Sequence, residues 1–166
     1  MHLINSDHLK SVIKLINQSP FFRYMSMQVV ELGPGFSKVE VNIMKNHMNP
    51  FGSLHGGVYA TIIDTAAYWS AYCDLPEEQG LITIDLKVDF LAPVSGQKMV
   101  VEGKSVKSGR TIHLAEAKAG DDQGKLLAHG TSKLMVTQNS QTMGNAVQYL
   151  SAEELPTKYH GQPHVV

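Results

Sequence analysis

Residues 55–73 read as one long helix that is apolar on nearly every side, and from residue 81 the apolar period switches to two and stays there. No other feature narrows the fold as much. Val58, Ile62, Ala66, Trp69 and Cys73 form one stripe of the helix, and Tyr59, Ile63, Ala67 and Tyr72 form a second. A helix with that many apolar sides is packed on more than one of them. Downstream, Ile82, Ile84, Leu86, Val88 and Phe90 alternate with Leu81, Thr83, Asp85, Lys87, Asp89 and Leu91. Further strands fit 97–107, 110–120 and 125–137, separated by the turns Lys107-Ser-Gly-Arg110 and Asp121-Asp-Gln-Gly124.

Upstream, Met25 to Glu31 and the alternating Val39, Val41 and Ile43 predict a hairpin around Leu32-Gly-Pro-Gly35. Residues 7–17 predict a short amphipathic helix capped by Ser6 or Asp7. The order helix, two strands, helix, four strands implies an α+β fold, with one long helix against about six mostly antiparallel strands. Residues 1–137 are expected to form a single domain and 138–166 a surface tail, where Ser151-Ala-Glu-Glu154 fits the capping box of a short helix.

Composition removes several function classes. The 166 residues carry 14 basic and 15 acidic side chains, for a net charge of −1, so no nucleic-acid partner is expected. Cys73 is the only cysteine, which leaves no internal disulfide and suits a reducing compartment. The N-terminus lacks a cationic stretch followed by an apolar one, and the longest apolar helical segment is too short for a membrane span and carries Asp64. A cytoplasmic protein with no membrane partner is expected. The eight histidines show no metal-binding spacing, so no metal is expected. Gly52-Ser-Leu-His-Gly-Gly57 lacks the Gly-Lys-Ser/Thr ending of a P-loop, and Ser53 lies outside any Gly-x-Ser-x-Gly elbow.

The chemistry concentrates in Asn49-Pro-Phe-Gly-Ser-Leu-His-Gly-Gly57 and the helix behind it. Burying an unpaired carboxylate costs several kcal/mol or raises its pKa, so Asp64, inside an apolar helix, is the candidate general base or nucleophile. Its structural alternative is an acid bonded to a backbone group or a nearby hydroxyl. Gly56 and Gly57 fall at the first turn, where helix amides lack internal acceptors and a substrate carbonyl can approach closely; a tight loop-to-helix turn would also use them. His55 is an acid-base residue or a side chain that orients the backbone. Asn49 positions a water or a carbonyl, or is a turn residue before Pro50. Thr83 is placed to bond a water or Asp64, unless it is an ordinary strand threonine. Lys104, Lys107 and Arg110 form a basic hairpin suited to phosphates or merely to solvent. Phe51, Tyr68 and Trp69 are candidates for an acyl or aryl pocket, or for core packing. Gly57 and Asp64 are seven residues apart, roughly 10 Å along a helix at about 1.5 Å per residue. A base acting through one water sits only about 5–6 Å from the attacked carbon. One copy of the helix therefore does not supply both groups to one site, whereas two copies related by a two-fold axis do.

This segment resembles the hotdog-fold thioesterases of the PaaI type, within the broad 4-hydroxybenzoyl-CoA thioesterase superfamily. An asparagine, then His-Gly-Gly six residues on, then an acid nine residues after the histidine is matched by Asn49, His55, Gly56, Gly57 and Asp64. The likeness continues through Thr83-Ile-Asp-Leu-Lys-Val-Asp-Phe-Leu-Ala-Pro93, and more loosely to residue 137. It implies a hotdog fold, in which a curved antiparallel sheet wraps the long helix, and homodimers with shared sites that pair again into homotetramers. It implies metal-free hydrolysis of an acyl-CoA thioester, with coenzyme A as part of the substrate and no cofactor. Gly57 would polarise the carbonyl and Asp64 of the second chain would activate water or attack directly. Thr83 would orient the water, and Asn49 and His55 would shape the site. The nucleotide end of coenzyme A would lie near basic surface residues. Two alternatives on the same fold are a non-catalytic acyl-CoA sensor and a dehydratase or hydratase.

Overall fold

The computed structural model describes residues 3–160. Four helices, α1 (Ser6–Ile16), α2 (Pro20–Tyr24), α3 (Gly56–Ser70) and α4 (Met143–Leu150), accompany six strands. The strands are β1 (Met27–Gly33), β2 (Phe36–Asn42), β3 (Gln79–Phe90), β4 (Lys98–Lys107), β5 (Ile112–Asp121) and β6 (Leu126–Gln138). They form one antiparallel sheet in the order β1-β2-β4-β5-β6-β3. β3 follows β2 in the chain but lies at the opposite edge, because α3 carries the chain across the sheet's concave face.

The sheet curls around α3, whose Ile62, Ile63, Ala66 and Ala67 are fully buried. Two strand glycines permit this close approach. A Cβ on Gly103 would fall 2.1 Å from the Ala66 carbonyl oxygen, and one on Gly130 would fall 2.5 Å from an Ile63 methyl carbon. The Ser37 hydroxyl also donates to the Ala66 carbonyl at 2.6 Å, tying sheet to helix. Among the described residues, no helix is long and apolar enough to cross a membrane.

Four local expectations need correction. The α1 cap is Asn5, whose side chain accepts from the Asp7 amide, rather than Ser6 or Asp7. Gln18-Ser19-Pro20 reads in sequence as the end of the first helix, but α1 already closes at Asn17, and Pro20 opens α2, since a proline at the first helical position sacrifices no bonded amide. The C-terminal helix is capped nine residues ahead of the expected position, at Thr142 rather than Ser151. Thr142 and Asn145 form the capping box, and Ser151 closes α4 in the left-handed region at φ 50°. Finally, the period of β3 does not run unbroken, because a bulge at Ile84 interrupts its pairing with β6. Ahead of the bulge, Leu81 and Thr83 face α3; beyond it, Leu86 and Val88 do, and Ile84 is turned outward.

The segment after α4 packs back on the body. Lys158 is 0% exposed, and its Nζ donates to the carbonyls of Tyr72 (2.9 Å) and Leu75 (2.5 Å) and lies 4.2 Å from the Tyr72 ring centroid. Tyr159 bridges to Ile4. His8 of α1 meets the Pro156 carbonyl (2.5 Å) and the Tyr72 hydroxyl (2.6 Å). A run poor in large apolar side chains is thus held by polar contacts.

Candidate active site

Asp64 lies on the face of α3 turned toward β3 and β6. Its Oδ1 accepts from the Thr83 hydroxyl at 2.9 Å and from the buried Ser132 hydroxyl at 3.4 Å. The bulge at Ile84 makes the first contact possible, because without the extra residue Thr83 would face away. No cation contacts Asp64 among the described residues, and its Oδ2 has no partner there. Burial therefore pushes the carboxyl above its ordinary range, and the Thr83 and Ser132 hydrogen bonds offset only part of that rise. Sequence reasoning missed Ser132. Its signal was present: it is the polar residue on an inward position of β6, between Gly130 and Leu134.

The helix N-terminus is organised by His55. Its Nδ1 accepts from the Gly57 amide at 2.8 Å, and its carbonyl accepts from the Val58 amide at 2.9 Å. An accepting Nδ1 places the neutral ring's proton on the exposed Nε2. Gly57 is therefore committed within the chain, and the first-turn amide left without an acceptor among the described residues is that of Gly56. The steric requirements separate the two glycines as well. A Cβ on Gly57 would come within 2.9 Å of His55 Nδ1, whereas one on Gly56 would rest 3.5 Å from the Phe90 ring. Packing within the chain explains Gly57 and leaves Gly56 unexplained. Gly56 lines a depression of about 580 Å³ that Tyr59, Phe90, Pro93 and Met48 also border.

Other expected residues divide. Asn49 holds its own loop: its Oδ1 accepts from the Phe51 amide (2.9 Å) and the Ser53 amide (3.1 Å). Phe51 stands 92% exposed at the loop tip. Tyr68 lies one turn beyond Asp64, and its hydroxyl donates to the Leu81 carbonyl at 3.2 Å. The Lys107–Arg110 hairpin lies beside Asp74, at the opposite end of α3 from Gly56, where Ser105 and Ser108 both donate to the Asp74 carboxylate. Gly56 and Asp64 are themselves eight residues apart on α3, about 12 Å by helix rise. In one chain, then, Asp64, Thr83 and Ser132 converge, Gly56 and His55 converge, and the two groups remain apart.

Comparison with known proteins places this geometry. The model of the thioesterase superfamily matches residues 51–128, from the Phe51 loop to the start of β6. Acyl-coenzyme A thioesterase 13 of Mus musculus is 26% identical over 129 residues, covering 75% of this chain and 91% of that protein. Over this segment the chain is similar to members of the thioesterase superfamily. The human acyl-coenzyme A thioesterase 13 aligns to the same extent. A thioesterase from Haemophilus influenzae superposes with a TM-score of 0.75 at 19% identity, covering 84% of this chain and 97% of its own. A thioesterase family protein from Silicibacter pomeroyi gives 0.71 at 25% identity, with 80% and 98% covered. The six-stranded sheet around α3 is the hotdog fold expected from the sequence. The superfamily segment contains His55, Gly56, Gly57, Asp64 and Thr83, and excludes α1, α2, Ser132 and everything after β6.

Proposed function

We propose that this chain hydrolyses acyl-CoA thioesters at sites shared between two chains. Thioester hydrolysis is the reaction class of the superfamily whose model residues 51–128 match. The observation that carries the finer reading is the pair of unspent groups on α3: a cation-free carboxylate at Asp64 and an acceptor-free amide at Gly56, too far apart to serve one site alone. The twelve residues of β3 form a sheet edge unpaired among the described residues, and Asp64 opens toward that side. Pairing β3 with its copy would satisfy the edge and bring Gly56 of one chain toward Asp64 of the other.

In the proposed reaction the Gly56 amide donates to the thioester carbonyl oxygen. Asp64 of the partner subunit takes a proton from water as the water oxygen bonds to the carbonyl carbon. The carbonyl electron pair moves onto oxygen, where the amide and the positive end of α3 hold it. Collapse breaks the C–S bond, and the proton passes from Asp64 to sulfur, releasing free acid and thiol. Direct attack by Asp64 would form an anhydride that water opens to the same products. Thr83 and Ser132 hold Oδ1 so that Oδ2 faces the reaction. His55 fixes the first turn, Asn49 holds the loop, and Phe51 contacts the substrate as it enters. Lys107 and Arg110 receive the phosphates of coenzyme A. No cofactor takes part.

An acyl-CoA panel with a thiol-detecting assay tests this reading. Asp64→Asn should lose about 10²–10⁴-fold in rate, the usual cost of removing a general base. Absence of thiol release from every acyl-CoA, or full activity in Asp64→Ala, would overturn it.

A further inference from the structure

A pocket of about 1270 Å³ opens one helical turn beyond Asp64, beneath the C-terminal segment. Tyr68, Trp69 and Tyr72 form its floor, Leu81 of β3 one wall, Phe22 of α2 another, and Val147 of α4 its roof. The floor is a packed aromatic row, with Tyr68 and Trp69 centroids 5.3 Å apart and Trp69 and Tyr72 centroids 5.6 Å apart, each pair edge-to-face. Tyr68 shares a helix face with Asp64 at i,i+4 spacing, and Leu81 shares the inward face of β3 with Thr83. The pocket therefore begins where the acid half of the site ends.

The roof is pinned at both ends. At its start, the Asn139 amide donates to the Glu78 carbonyl at 2.8 Å, and Gly80 lies so close beneath that a Cβ there would be 2.3 Å from the Ser140 carbonyl oxygen. At its end, the Lys158 amide donates to the Glu77 carboxylate at 2.8 Å, while its ammonium closes on the Tyr72 and Leu75 carbonyls. Both anchors grip the α3–β3 connection, which itself forms part of the pocket wall. Neither α2 nor α4 belongs to the matched superfamily segment, which ends at residue 128. The enclosure thus lies outside the matched segment.

We propose that this pocket receives a hydrophobic acyl group of medium length, straight or ring-bearing, and that α4 sets the size it accepts. The proposal rests on the hydrolytic reading of Asp64. From Asp64 to Tyr72 is eight residues, about 12 Å at helix rise. At roughly 1.2 Å per extended bond that distance suits about eight to ten carbons. The pocket also lies among Glu77, Glu78 and Glu154, which repel an anionic ligand and leave the phosphates of coenzyme A to the basic hairpin elsewhere. A large, aromatic-lined cavity with an acidic rim suits an uncharged apolar group.

Trp69 is the only tryptophan of the chain, so its fluorescence reports occupancy directly. S-decyl-CoA, a thioether that does not hydrolyse, should change Trp69 emission and bind at least about tenfold more tightly than S-ethyl-CoA, as expected for a long apolar group gaining a pocket. Val147→Phe fills the roof from α4, away from Asp64 and Gly56. It should lower kcat/KM for decanoyl-CoA and phenylalkanoyl-CoA about tenfold and leave acetyl-CoA within about twofold. Ala146→Leu serves as a second variant, and circular dichroism confirms the fold of each. Equal binding of the two thioethers, or an equal effect of both variants on short and long substrates, overturns the proposal. Thiol release with no Trp69 response sinks the pocket and spares the hydrolytic reading. Tight S-decyl-CoA binding at Trp69 with no thiol release from any acyl-CoA supports the pocket and sinks that reading.

Discussion

Among the described residues Asp64 has two hydroxyl partners and no cation, so its titration follows burial. Its raised carboxyl pKa means that, between the ordinary carboxylate range and the shifted value, the folded chain binds more protons than the unfolded one. Stability therefore falls as pH rises through that window, and the cost persists at neutral pH. Asp64→Asn should raise the melting temperature at neutral pH, with the gain shrinking as the solution is acidified; thermal melts across pH check this. Thr83→Val removes a bond that favours the ionised form, so the acid limb of the kcat/KM profile should move to higher pH. Ser132→Ala should move it less, because its hydroxyl is at 3.4 Å rather than 2.9 Å. The two glycines are expected to separate in the same way. Gly57→Ala displaces His55 from its cap and should cost about 0.5–2 kcal/mol of stability by denaturant titration. Gly56→Ala has room for its methyl beside Phe90, so it should fold normally while covering the amide and losing about 10²–10³-fold in kcat.

At the scale of elements, legibility followed periodicity. The starts and ends of β3 to β6 lie within two residues of those expected, because uninterrupted alternation between turn residues leaves little choice. The bulge at Ile84 was not legible. Ile82, Ile84, Leu86, Val88 and Phe90 alternate without a break, and only pairing with β6 shows that the inward face changes between Thr83 and Leu86. Similarly, Ser151 resembles a cap in sequence, yet the apolar spacing of Met143, Val147 and Leu150 precedes it, and tertiary packing selected that stretch. In the candidate site, the polar face of β3 offers Thr83 a water or Asp64 as partner, or neither, and the structure has the Asp64 contact. Which first-turn amide stays free depended on the rotamer of His55, which no spacing encodes.

At the scale of the whole molecule, the proposed shared site would make two inactive chains complementary. Gly56→Ala and Asp64→Asn chains, each nearly inactive alone, should regain activity when unfolded together and refolded. Random pairing makes half the dimers mixed, each with one intact site of two, so about a quarter of the original activity is expected. No recovery, or full activity of a monomer at assay dilution, would show that one chain holds a complete site. The sheet order has a further consequence for how the site comes into being. β4, β5 and β6 join through short turns, whereas β3 pairs only with β6, across two intervening hairpins. Closing that long loop costs more entropy than closing the hairpins, so β3 joins the sheet after they have formed. Thr83 travels with β3, so the carboxylate on α3 acquires its nearest hydroxyl only once β3 has paired with β6, and the chemistry waits on a contact between strands far apart in the chain.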